Sequence, residues 1–242
     1  ADLAFGTDAV TGLCVVGSVW WRYLALGIVV LAAVLVGRTQ PSHSEAVRSR
    51  RPLAGILAFV GAVCFLAAAG AQIALGAASG LGGFVRCILE CLCSAWLSTM
   101  GRCWLSPNEW KKPFGGLYLA VAGSLLFYWN VLLRFMENSS SWHRVAPTAM
   151  VWQLLAGLVF LSALARVLYL PGTSDGRTLC AGGLAAFALC LCWELPTVLQ
   201  TLVQEGGRAL LTPTLLFRLG LCCVGALGAL SAVRCTRTAQ DA

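Results

Sequence analysis

The segment FVRCILECLCSAWLSTMGRCWL, Phe84 to Leu105, decides the fold. Its 22 residues suffice for a helix to cross a hydrocarbon core about 30 Å thick at about 1.5 Å per residue. It also carries Arg86, Glu90 and Arg102, which make it the least apolar stretch of its kind in the chain. Whether it spans sets the number of spans at seven or six, and flips the side of every loop that follows. Lys and Arg are retained in short cytoplasmic loops, so their distribution tests the choice. With the segment spanning and the N-terminus outside, the inner side holds Arg38, Arg48, Arg50, Arg51, Arg102, Lys111, Lys112, Arg166, Arg177, Arg234 and Arg237, eleven in all. The outer side holds six: Arg22, Arg86, Arg134, Arg144, Arg208 and Arg218. Without the segment the split becomes eight against nine and the asymmetry vanishes. The expectation is an all-α seven-helix membrane bundle, N-terminus outside and C-terminus cytoplasmic.

The other spans follow from apolar length and from Pro and Gly punctuation. They are expected at about 13–37 (with Val19 as an alternative start), 53–75, 114–136, 147–170, 179–203 and 212–233, with a tight turn over Gly76 to Gly83. Together they consume nearly all of residues 1–242, one polytopic domain with no room for a separate extramembrane unit. The composition agrees: 59% hydrophobic and 11% charged, against roughly half apolar and a quarter charged in soluble domains. The patch Leu13 to Val19 lacks a basic flank before it and is not read as a signal peptide.

Small residues line the helices, Gly55, Gly61 and Gly70 on the second, Gly115, Gly116 and Gly123 on the fourth, and Gly220, Gly225 and Gly228 on the seventh. They are expected to let backbones approach where lipid supplies no hydrophobic drive. Trp20, Trp21, Tyr23, Trp104, Trp110 and Trp142 fall near span ends and are expected to anchor at the interfaces. The cluster Arg48-Ser49-Arg50-Arg51 reads as a positive-inside signal, with contact to anionic headgroups as its alternative role.

Ionisable groups inside a span are costly, face the bundle interior, and are functional candidates by default. Counted from the outer span ends, Glu90, Arg218, Gln153 and Asn130 each lie 6 residues in and Glu194 lies 9 in, roughly 9 to 13 Å deep. Arg22 joins them if the first helix begins near Leu13, while Arg86, Gln72 and Arg134 sit closer to the surface. A shared outward-facing cavity lined by Glu90, Glu194, Arg22, Arg218, Asn130 and Gln153 is expected. Arg86 and Glu90 are four apart, but Arg before Glu is the less favourable order on a helix, so Glu90 is expected to prefer Arg218 or Arg22. Pro196, two residues after Glu194, is the expected hinge, since an interior proline frees a carbonyl and bends the helix.

Several chemistries find no support. The 12 cysteines and 2 histidines do not form paired metal-ligand spacings, and both His43 and His143 fall in loops, so neither metal nor cofactor is expected. The basic residues are dispersed through loops without interleaved aromatics, which argues against nucleic acid. Cys192-Trp193-Glu194-Leu195-Pro196 resembles the sixth-helix Cys-Trp-x-Pro element of rhodopsin-like receptors with one residue too many, and Asp-Arg-Tyr and Asn-Pro-x-x-Tyr are missing. The layout is similar to that of sugar-exporting and PQ-loop transporters in topology alone, without the Pro-Gln pair in the spans. No family is assigned. The leading expectation is a small-solute carrier, or a subunit of one, in the cell membrane. Its partners would be the lipid bilayer, a small charged solute, and a partner membrane protein or a second copy. A non-enzymatic sensor or assembly protein with a structural charge network is the alternative. An intramembrane enzyme comes behind both, because no span holds a histidine and two carboxylates alone specify no reaction. Asn138-Ser139-Ser140 matches a glycosylation sequon on a predicted outer loop.

Overall fold

The computed structural model describes residues 19–39, 44–76, 78, 80–106, 112–137, 145–170 and 175–236. Among them are seven helical spans long and apolar enough to cross a membrane. Five run unbroken: α1 (Val19–Thr39), α2 (Pro52–Ala74), α3 (Gly80–Leu105), α4 (Gly116–Glu137) and α5 (Val145–Tyr169). The sixth is composite, α6 (Gly176–Ala186), a π-helical segment (Phe187–Trp193) and α7 (Glu194–Glu205), and the seventh is α8 (Pro213–Thr236). The segment that opened the question is a full span. Its carboxylate is turned inward, Glu90 being 0% exposed, while Phe84 and Ile88 face outward and Arg102 is exposed in the last turn. Leu13, Trp110, Trp142, His43, His143 and the sequon at Asn138 lie outside the described residues.

Six spans close a ring, α2 on α3, α3 on α4, α4 on α5, α5 on α6, α6 on α8 and α8 back on α2. The ring is filled by side chains. Phe65 of α2 packs edge-on against Phe217 of α8 and Phe127 of α4, centroids 5.6 and 6.2 Å away. Trp96, Met100 and Leu161 are fully buried beside them. α1 lies outside the ring, chiefly against α6, and buries just Leu26 and Gly37 of its 21 residues.

Glycine permits the closest helix crossings. A Cβ on Gly183 of α6 would stand 2.6 Å from the Gly228 carbonyl oxygen of α8, and one on Gly228 would stand 2.6 Å from that of Gly183. Gly55 and Gly101 do the same for α2 and α3, and Gly225 abuts the backbone of Leu191. Three of the expected packing glycines differ. Gly70 faces open space, and Gly115 and Gly116 take positive φ in the turn before α4. The expected turn over Gly76 to Gly83 is shorter, because Gly76 and Gly80 at φ +64° and +79° complete the reversal and α3 starts at Gly80.

The Arg51 end of the bundle is plugged by the chain itself. A 3-10 turn, Ser44–Arg48, lies beneath the helices and buries Val47 completely. Arg48 donates from Nε and Nη2 to the Val167 carbonyl at 3.0 and 2.7 Å, and from Nη2 to Leu170 at 3.3 Å, satisfying the open carbonyls at the end of α5. Arg51 is 7% exposed and donates to the Leu230 carbonyl of α8 at 2.7 Å. Burial lowers its guanidinium to about 10, still a cation at neutral pH. Arg48 therefore serves as a helix-end ligand and Arg51 is buried against the side of α8, so neither is free surface charge. Trp104 departs from its expected interfacial place for a related reason: it is fully buried, and its indole N–H donates to the Val47 carbonyl at 3.2 Å. Trp20 and Trp21 are exposed at the opposite end, as interfacial residues are.

Candidate functional site

Glu90 and Glu194 stand at the Trp20 end of the ring, each held by one glutamine and one arginine. On α3, Glu90 accepts two hydrogen bonds from the Gln72 amide of α2 at 2.9 and 2.8 Å, and one from Arg86 Nε at 3.0 Å. The thiol of Cys87 points at Gln72 Oε1, 3.7 Å away, so the amide is fixed from both ends. This carboxylate is sealed and saturated. Its pairing corrects the expectation that Glu90 would turn to Arg218 or Arg22: the preference against Arg before Glu belongs to exposed single helices, whereas a carboxylate buried in a bundle takes the cation its own helix brings within reach.

Glu194 opens α7, and its set draws on three different spans. Gln153 of α5 donates to Glu194 Oε2 at 2.8 Å and to the Leu189 carbonyl in the π segment at 3.2 Å. The Cys190 thiol lies 3.2 Å from the Gln153 carbonyl, so α5 and the π segment are tied in both directions. Arg218 of α8 brings Nε to 3.2 Å from Glu194 Oε1. That N–H is buried and out of line for a hydrogen bond, which makes the contact an ion pair of incomplete geometry. The carboxylate side chains are 0% and 8% exposed and their arginines 26% and 29%, so the arginine side chains reach the surface and the carboxylates do not.

Arg86 also reaches α8, where its guanidinium carbon stacks 5.0 Å from the ring centroid of Phe217, the residue that precedes Arg218 in sequence. Of the residues expected to line a common cavity, Glu194, Gln153 and Arg218 come together, whereas Glu90 forms a set of its own with Gln72 and Arg86. Asn130 is buried, but its amide turns back to the Leu126 carbonyl of its own helix at 2.8 Å. Arg22 is half-buried on α1. Arg86 was placed too near the surface by residue counting, because α3 begins at Gly80 and sets it one full turn deeper; Gln72 lies near the end of α2, as counted, yet is buried. The signal for Arg86 was present in its four-residue spacing from Glu90, and nothing in the sequence marked Gln72 as a partner.

Comparison with protein-family models, curated proteins and solved structures finds no match. The site stands on its own geometry. Among the described residues no three His, Cys, Asp or Glu side chains gather in a metal-binding arrangement. Among the described residues, cavities flank the ring at two places. One of about 610 Å³ opens between the Trp20-end turns of α2 and α3, with Cys87 and Cys91 in an otherwise apolar wall. The other, about 410 Å³, lies between α1, α5 and α6. Neither is lined by a glutamate.

Proposed function

We propose that the polar layer binds a small solute bearing an anionic group, and that the protein is a carrier or carrier subunit for it, here with the layer closed by its own ion pairs. The observation that carries this reading is the position of the Glu194 set. Its carboxylate sits at the joint between a π segment and α7, with Pro196 in the next turn, and π turns and broken spans concentrate where membrane proteins bind or move. With the Trp20 end outside, as the loop charges indicate, an arriving anion meets Arg86 and Arg218 before either glutamate. Drawing Arg218 away would leave Glu194 buried without its cation, a state relieved by taking up a proton. The reading therefore couples anion entry to protonation of Glu194, with the joint before Pro196 as the hinge.

Reconstituted protein is expected to show saturable, pH-gradient-dependent flux of a member of a panel of radiolabelled carboxylates, amino acids and phosphate. Glu194→Gln is expected to abolish that flux while leaving the protein folded. Absence of flux across the panel, with Glu194→Cys protected from a membrane-impermeant thiol reagent in a background free of native cysteines, would replace the carrier by the second reading. That second reading, a sensor or assembly protein with a structural charge network, draws support from the sealed Glu90 set.

A further inference from the structure

The cavity behind α1 has the shape and charge of a lipid site, independently of the polar layer. α1 touches α6 backbone to backbone where a Cβ on Gly37 would overlap Ala181. Alongside that crossing a cleft opens, walled by Val34 of α1, Ala156 of α5 and Ala185 of α6. Its lining runs from Thr178 to Leu189, 11 residues apart, which is about 16 Å along the helix and close to half of a bilayer core about 30 Å thick. The cleft is thus one leaflet deep. Its deep end is apolar, and at the Arg51 end of the bundle it meets Arg38 and Thr178.

Charge is arranged at that mouth. Arg38, in the last turn of α1, and Arg177, in the first turn of α6, are both exposed. The acid next in sequence, Asp175, is engaged by Arg166 at 3.6 Å. We propose that the cleft seats one acyl chain of an anionic phospholipid from the adjacent leaflet, with its phosphate on Arg38 and Thr178 and with Arg177 beside it. An apolar slot ending in a guanidinium at headgroup depth suits that amphiphile, and a zwitterionic lipid gains less because its own cation offsets the arginines.

The test compares phosphatidylglycerol with phosphatidylcholine of identical chains, added to delipidated protein in detergent and read by native mass spectrometry and by unfolding temperature. Wild type is expected to retain the anionic lipid preferentially and to gain more stability from it. Arg38→Gln, a surface change, is expected to weaken that retention about tenfold, the worth of one charge-assisted hydrogen bond. Val34→Trp, which fills the cleft from the peripheral helix, is expected to lose both lipids. Equal retention of the two lipids by wild type, or a preference that survives Arg38→Gln, would overturn the proposal. So would stabilisation by glycerol phosphate equal to that by the lipid, which would mark a site for free anions.

Discussion

Glu90 and Glu194 share a chemical environment of one amide and one guanidinium, yet differ in completeness, and that difference makes them separable by mutation. Arg86→Met strips the cation from a carboxylate that is 0% exposed, and breaking a buried pair in this way costs about 3–5 kcal/mol. The double variant Arg86→Met/Glu90→Gln removes the stranded charge and is expected to recover most of that loss in thermal unfolding of detergent-solubilised protein. If the double variant is as unstable as the single, the loss does not come from the stranded Glu90 charge. The carboxylates and their depth were legible in the sequence because ionisable residues in apolar runs are conspicuous. Which cation each one takes was legible only in part: the four-residue spacing of Arg86 and Glu90 offered one pairing, while the choice of Arg218 by Glu194 depends on lateral packing of different helices.

The helices were legible almost to their ends, because apolar length and flanking Pro or Gly are written locally. The interruption at Phe187–Trp193 was not. Pro196 announced a bend, but the widened turn lies upstream of it, where Gly225 of α8 comes within 2.7 Å of the Leu191 backbone as measured from an added Cβ. A local rule places the weak point at the proline, and the neighbouring helix decides where the turn opens. The glycines permit a similar separation. Gly228→Ala drives a methyl into the Gly183 carbonyl and is expected to cost about 1–3 kcal/mol by overpacking. Gly70→Ala meets nothing within 4 Å and is expected to be neutral or to stabilise by up to about 1 kcal/mol. Unfolding in graded denaturing detergent checks both, and equal effects would contradict the crossing at Gly183 and Gly228.

At the scale of the molecule, the ring is closed at one end by the loop between the first two spans and left polar at the other. The closure makes opposite demands on its two arginines. Arg48 satisfies carbonyls at the end of α5 through three contacts, so Arg48→Met is expected to lower stability by about 1.5–3 kcal/mol. Arg51 buries Nη1 with no partner, and an incompletely satisfied buried charge adds little. Arg51→Met is therefore expected to change stability by less than about 1 kcal/mol or to raise it. Matched unfolding curves for the two variants test this, and a larger loss at Arg51 would mean that its bond to Leu230 is what seals the end. The reading of 48–51 as a topology signal stopped at net charge, and the direction of each side chain depends on helix ends that only the assembled bundle supplies.

The chain by itself determined the number of spans, their limits within a few residues, and the level at which buried charge lies. Each of these depends on hydrophobicity and charge along the sequence, measured against a bilayer of known thickness. The tertiary structure decided the ring order, the exclusion of α1 from it, the partners of Glu90 and Glu194, and the inward turn of Arg48, Arg51 and Trp104. These depend on which helices lie side by side. In a bilayer that choice rests on close packing of small residues and on pairing of polar groups across helices, and neither has a period or a spacing that one strand of sequence displays.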